Sequence, residues 1–397
     1  MSTMVRTAAE SRVRPARPGP GSVSLWSRWA RLDWVLLGAV LALVALSVVL
    51  VWSATAHREE LTGGDSSAYL RRQLVNVALG LALFAGVVVT DHRWVRITAP
   101  VVYVASVVGL ALVLTHGSTV NGSQSWLRLG PLSLQPSELA KLAVVVGLAL
   151  VLAERAQGAP RRRVDRTDVA VMLAIAAVPA ALILLQPDLG TMLVLCATVF
   201  GVLAVSGASA GWLGGLAAAG VGLAVVAVTG GLLKAYQLDR FLAFVDPSLD
   251  PRGAGYNVEQ ARIAIGNGGL LGQGLFDGSQ TRAGFVPEQQ TDFVFTVAGE
   301  ELGLVGAGLV VVLLAVVVWR ALRIARASDD VFGRVAAAGI ACWLGFQAFQ
   351  NIGMCLGIMP VTGVPLPFVS YGGSSLFAAL LAVGLLQNIH LRGRPLR

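Results

Sequence analysis

The sequence predicts an all-α polytopic membrane protein of about ten transmembrane helices, with a large loop between the seventh and eighth. Three observations predict it. Of 397 residues, 55% are hydrophobic and only 13% charged, roughly half the charge share of a soluble globular protein. Mean hydropathy is +0.73, and apolar runs near the ~20 residues that cross a hydrocarbon core recur along the chain. Third, Lys and Arg are distributed unevenly between alternate connections.

Residues 1–32 are basic and rich in Pro, Ser and Arg, which reads as a disordered tail. That polar lead is too long, and the apolar run after it too extended, for a cleavable signal peptide. Spans are expected at 33–53, 73–90, 95–115, 137–154, 167–186, 188–206, 210–233, 291–319, 332–357 and 372–391, with 392–397 as the C-terminal end. An even number of spans puts both ends on one side. That side collects 20 of the 30 basic residues, in the tail, at Arg93 and Arg96, at 155–166, at 320–334 and at 392–397. It is therefore read as cytoplasmic, and residues 234–290 become the large external loop. The bias accounts for the net charge of +8, so no nucleic-acid partner is inferred.

Cysteine chemistry and metal binding have little support. Cys196, Cys342 and Cys355 all lie within expected spans, and on one helix the last two are about 20 Å apart, too far for a disulfide. His57, His92, His116 and His390 are scattered, with no metal-ligand spacing. Gly266, Gly268, Gly269, Gly272 and Gly274 miss the dinucleotide spacing and are read as shaping a compact loop.

Polar and Pro/Gly-rich motifs gather on the external side: Asn121 to Gly130, Gln135-Pro136-Ser137-Glu138 with Lys141 one turn on, Gln186 to Thr191, Pro287 to Phe293, and Pro360 to Ser375. The last is too apolar for a solvated connector and reads as a re-entrant element packed on protein. Asp292 sits where the long loop enters an apolar segment, a costly place for a charge unless it is paired, wetted or used. Glu300, eight residues later, is expected about 12 Å deeper on roughly the same helix face, facing an internal cavity. Structural roles compete with each of these. Glu138 and Lys141 suit a local i,i+3 ion pair. Ser137, Thr291 or Asp292 suit a helix N-terminus, and Gln347, Gln350 and Asn351 suit interhelical hydrogen bonding.

With those residues in view, the chain from about Trp52 to Leu391 resembles the SEDS proteins (shape, elongation, division and sporulation), which include RodA and FtsW. The matching segments are Arg72-Gln73, Trp126 to Gly130, Gln135 to Glu138 with Lys141, Gln186 to Thr191, Tyr256 to Gly274, Pro287 to Glu301 and Gln350 to Ser375. Gly278-Ser279-Gln280, Asn351 to Met354 and Pro367 to Gly373 resemble the RodA branch. The resemblance implies ten spans, both termini in the cytoplasm of a bacterium, and polymerisation of lipid II. It also implies a working complex with a class B penicillin-binding protein. The family's essential Asp falls on Asp292. Many relatives carry His two residues earlier, where this chain has Gln290, so an imidazole there is not an obligatory base.

A β-1,4 bond made from an α-linked diphosphate donor inverts the anomeric carbon in one displacement. The step needs a base for the acceptor hydroxyl, charge relief for the leaving diphosphate and a groove for the polyprenyl tail. Asp292 is the expected base, a role worth roughly 10²–10⁴-fold. Arg72, Arg128, Lys141, Arg252 and Arg262 are candidates for the diphosphate, with Arg72 and Lys141 favoured. A divalent cation, Mg or Mn, is a further means of neutralising it, without a dedicated site in the sequence. Glu138, Glu288, Glu300, Gln350, Asn351 and Ser370 complete the expected substrate-binding set. The rival functions are a lipid II flippase, an FtsW-type division polymerase and a non-catalytic scaffold for the transpeptidase.

Overall fold

The computed structural model describes residues 31–120, 123–129, 132–156, 164–231, 234–246, 250 and 253–392. The expected disordered tail and most of residues 392–397 lie outside them. Ten of the described helices are long and apolar enough to cross a membrane. They are α1 (Trp34–Ala56), α3 (Ala68–Val89), α4 (His92–His116), α5 (Pro136–Arg155), α6 (Arg166–Leu185), α7 (Leu189–Ser206), α8 (Ala210–Thr229), α13 (Gly303–Ala327), α14 (Val331–Cys355) and α15 (Gly373–His390). Carboxylates and a hydroxyl start several of them: Asp33, Asp188, Ser209 and Asp330 each accept a first-turn backbone N–H, which satisfies a donor that lipid cannot. Helices α5, α14 and α15 are the most buried and form the centre. Around them α14 packs on α5, α7 and α13, and α15 packs on α3. By contrast α8 buries no residue and leans on α7. At one end Arg320 Nε donates to Asp33 Oδ2 at 2.7 Å and Gln387 Nε2 to the Asp33 carbonyl at 3.0 Å, which joins α13 and α15 to the start of α1.

The expected eighth span, 291–319, is corrected. The chain forms a short helix α12 (Val294–Glu301), breaks at Leu302, and starts α13 at Gly303. Gly303 has φ +66 and its α-carbon lies against the backbone of Leu270 and Gly272, so no side chain fits and the helix cannot run through. Gly268 and Gly272 meet the α12 backbone in the same close approach, in line with the compact-loop reading of the glycine cluster. The segment between α8 and α13 also carries the helices α9 (Ala235–Val245), α10 (Ala254–Asn267) and α11 (Ser279–Ala283). A short α2 (Glu59–Thr62) follows α1.

A small antiparallel sheet, in the order β1 (Ser118–Val120), β2 (Ser123–Leu129) and β3 (Leu132–Leu134), lies between α4 and α5. It was not anticipated from the sequence, although Asn121-Gly122 between extended residues is a hairpin signal. All three cysteines are free thiols.

Candidate functional site

Two chain crossings bring the motifs together. One is the turn Glu288–Phe293 before α12. The other is the irregular segment 356–372 between α14 and α15. Glu288 adopts the left-handed conformation, φ +46, rare for a residue with a side chain. Its carbonyl then accepts the amides of Asp292 at 2.9 Å and Thr291 at 3.2 Å. Asn351, buried on α14, fixes this turn to the opposite segment: its Nδ2 donates to the Asp292 carbonyl and to the Val364 carbonyl, both at 2.7 Å. One residue earlier, Gln350 Nε2 donates to Thr362 Oγ1 at 2.8 Å. The Tyr371 amide donates to the Gln290 carbonyl at 2.9 Å. Gly363 has φ +69, and a Cβ there would stand 3.2 Å from Asp292 Oδ2. The carboxylate therefore rests on a bare α-carbon.

These segments enclose a cavity of about 290 Å³ on whose wall lie Asp292, Glu288, Thr291, Asp188, Arg240 and Tyr371, with Ser123, Trp126 and Gln135 from the sheet and the start of α5. Asp292 keeps part of its surface open to the cavity but has protein on its other sides. Burial pushes its carboxyl up to about 7, the Glu288 charge adds to the rise, and Arg240 opposes it. Asp188 is also raised by burial, against the pull of the Thr191 amide and hydroxyl that it accepts at the start of α7. Among the described residues Arg240 is the cation on this wall, and its guanidinium carbon lies 5.6 Å from the centre of the Tyr236 ring. Leu193 belongs both to this wall and to that of an apolar groove of about 910 Å³ between α6, α7, α8 and α14.

The expected residues separate into three groups. Asp292 and Glu288 line the cavity, while Gln350 and Asn351 hold its walls in place. Arg72 is exposed at its edge, hydrogen-bonded to Tyr371. The rest face elsewhere. Lys141 is 0% exposed. Its Nζ is committed to Glu138 Oε1 and Gln347 Oε1, each at 2.7 Å, so the diphosphate role expected of it is not met by its position. Its ammonium also lies 5.5 Å from the Trp343 ring centre. Ser370 is buried and its Oγ accepts the Leu366 amide at 2.8 Å, shaping the segment without reaching the cavity wall. Glu300 is corrected as well. It is 0% exposed and is not on the wall of this cavity. Its carboxylate accepts from Gln280 N (2.6 Å), Thr281 N (3.0 Å), Thr281 Oγ1 (2.7 Å) and Ser279 Oγ (3.2 Å), holding the start of α11. No side chain caps α12, so Asp292 is not a capping residue.

Arg262 is exposed on α10 and off the cavity wall; the side chain of Arg128 and all of Arg252 lie outside the described residues. Arg240 was missed from sequence, because it belongs to no motif and only the folding of α9 over the cavity reveals it. The carboxylates Asp188, Glu288 and Asp292 share one wall, yet among the described residues no three His, Cys, Asp or Glu side chains converge as an ion site.

The model of a family described as "Cell cycle protein", that of FtsW, RodA and SpoVE, matches residues 33–394. The chain belongs to this family. It is 36% identical over 384 residues to the peptidoglycan glycosyltransferase MrdB of Escherichia coli K12, covering 95% of this chain and 98% of that one. It is likewise 36% identical over 363 residues to stage V sporulation protein E of Bacillus subtilis, covering 90% and 96%. Among solved structures, RodA of Thermus thermophilus shares 34% identity with a TM-score of 0.67, covering 92% of this chain and 99% of that one. A chain from a structural study of polymerization and crosslinking by a peptidoglycan synthase complex shares 36% with a TM-score of 0.74, covering 91% and 98%. The ten apolar helices and the family together make this FtsW/RodA-type chain a multi-pass membrane protein.

Proposed function

We propose that this chain is a peptidoglycan glycosyltransferase that polymerises lipid II during cell elongation, with Asp292 as general base. It works at the outer face of a bacterial cytoplasmic membrane, both termini inside. One observation carries the reading: a single cavity presents the Asp292 carboxylate, poised near neutrality, beside the Arg240 guanidinium, and adjoins an apolar groove at Leu193.

The acceptor sugar's 4-hydroxyl gives its proton to Asp292 as its oxygen attacks the donor's anomeric carbon. The bond from that carbon to the diphosphate breaks, and its electron pair leaves on the diphosphate. A base ionised near pH 7 suits this transfer. Arg240 is placed to meet the charge developing on the diphosphate, preferably in bidentate fashion. The apolar groove has room for the polyprenyl chain. Since Lys141 is committed elsewhere, the diphosphate role moves from it to Arg240. A crosslinking transpeptidase of the class B penicillin-binding type is the expected partner, since one structural relative comes from a synthase complex that coordinates polymerization with crosslinking.

The test is labelled lipid II in detergent with the purified protein, with and without its transpeptidase, comparing wild type with Asp292→Asn and Asp292→Ala. Polymer lost in both variants, with folding intact, supports the proposal. Lipid II movement across vesicles without polymer would make the chain a flippase. Neither activity, with partner binding retained, would make it a scaffold.

A further inference from the structure

Two tyrosines and an arginine at the edge of the cavity have no part in the step above. Tyr69, in the first turn of α3, and Tyr371, just before α15, hold their rings 4.9 Å apart at 54°. Arg72 stands almost one turn beyond Tyr69, its guanidinium carbon 5.7 Å from the Tyr69 ring centre, and it hydrogen-bonds Tyr371. Both rings are half-buried and Arg72 is exposed, so the cluster presents aromatic surface outward instead of filling the core. Tyr371 is also on the cavity wall, and its amide is tied to the turn that carries Asp292. The next residue, Gly372, has open space where a side chain would project.

We infer that Tyr371 and Tyr69, with Arg72, form a carbohydrate subsite that holds the acceptor amino-sugar so that its hydroxyl faces Asp292. The inference rests on the polymerase reading. A pyranose carries axial C–H bonds on one face and hydroxyls around its rim. The C–H face stacks on an aromatic ring, whose face is electron-rich, and the rim hydroxyls need donors and acceptors such as the two phenols and the guanidinium. Tilted rings offer two such faces at an angle, which suits consecutive sugars of a β-1,4 chain better than a flat ligand. The competing role is a pin between α3 and the segment before α15. A pin needs ring contact but no exposed face, no charged neighbour and no place on the cavity wall.

The experiment uses the full-length protein in detergent with chitotetraose, a soluble β-1,4-linked N-acetylglucosamine tetramer, as probe. Saturation-transfer NMR should show magnetisation passing from protein aromatic protons to the C–H face of the sugar. Tyr371→Leu and Tyr69→Leu should each weaken binding about tenfold, while Tyr371→Phe keeps it within about threefold. In polymerisation assays the Leu variants should raise KM about tenfold with a smaller change in kcat. Unaltered chitotetraose binding in both Leu variants, or a fall in kcat at constant KM, overturns the subsite. If Tyr371→Leu does not fold, Tyr69→Leu and Tyr371→Trp decide, Trp retaining an aromatic face. The chitotetraose arm reads binding alone and needs no turnover. A wild type that binds the sugar but makes no polymer therefore counts against the polymerase reading, not against the subsite.

Discussion

The ionisation of Asp292 sets a pH dependence that its surroundings make quantitative. With the carboxyl near 7, the ionised fraction falls from about nine-tenths at pH 8 to about one-tenth at pH 6. Polymerisation at lipid II well below KM, where the rate reports the free enzyme's base, should therefore slow about tenfold across that interval. An aspartate at its ordinary value of about 4 would be ionised at both ends and show no change. Burial is the largest cause of the shift; Glu288 adds to it and Arg240 opposes it. Glu288→Gln should thus move the midpoint down and Arg240→Gln should move it up. The assay is the initial rate of labelled lipid II consumption between about pH 5 and 9 at constant ionic strength, with Asp292→Asn as the blank. A flat profile from pH 6 to 8, or both variants shifting the same way, would refute the reasoning. Stability carries the opposite sign. The raised folded-state value favours folding at low pH, and that contribution is lost as pH rises through about 7. Asp292→Asn should melt above the wild type at pH 8, and the gap should close toward pH 5.

Other residues give sharper structural tests. Glu300→Gln sets an amide against donors that now converge on a carboxylate, and should cost about 3–5 kcal/mol in detergent unfolding; lost activity at unchanged stability would restore a cavity role. Lys141→Met leaves Glu138 a buried charge without its partner, a loss of about 3–5 kcal/mol, which Glu138→Leu in the same chain should largely recover. A double variant that folds like the wild type yet makes no polymer would return Lys141 to the substrate. Gly363→Ala forces a side chain into the left-handed region at a cost of about 1–2 kcal/mol and crowds Asp292 Oδ2, so kcat should fall more than KM rises; unchanged kcat would show that Asp292 has slack.

Which features were legible follows from the range of the interactions behind them. Nine of the ten spans come within a few residues of their expected places, because an apolar run of membrane length has one economical fate in lipid. The 291–319 run failed because averaging over apolar residues hides a single glycine whose conformation is imposed by Gly272, about thirty residues earlier in the chain. Asp292 was visible because it is a charge at an apolar boundary. Glu300 was expected to face an internal cavity, but its partners lie on α11, which hydropathy does not register. Arg240 carries no local signal, being one basic residue in an amphipathic helix within a polar segment.

The amino-acid sequence determined by itself that this chain crosses the membrane about ten times, that its basic residues mark one side, and that Asp292 is out of place unless used. Hydropathy and charge act over one helix length and are written locally. Only the tertiary structure decided what Asp292 faces. It bound Lys141 and Glu138 to each other inside the bundle, gave Glu300 to α11, and brought Arg240 and Tyr371 to the cavity. Those assignments depend on which segments meet across hundreds of residues, and packing alone settles that.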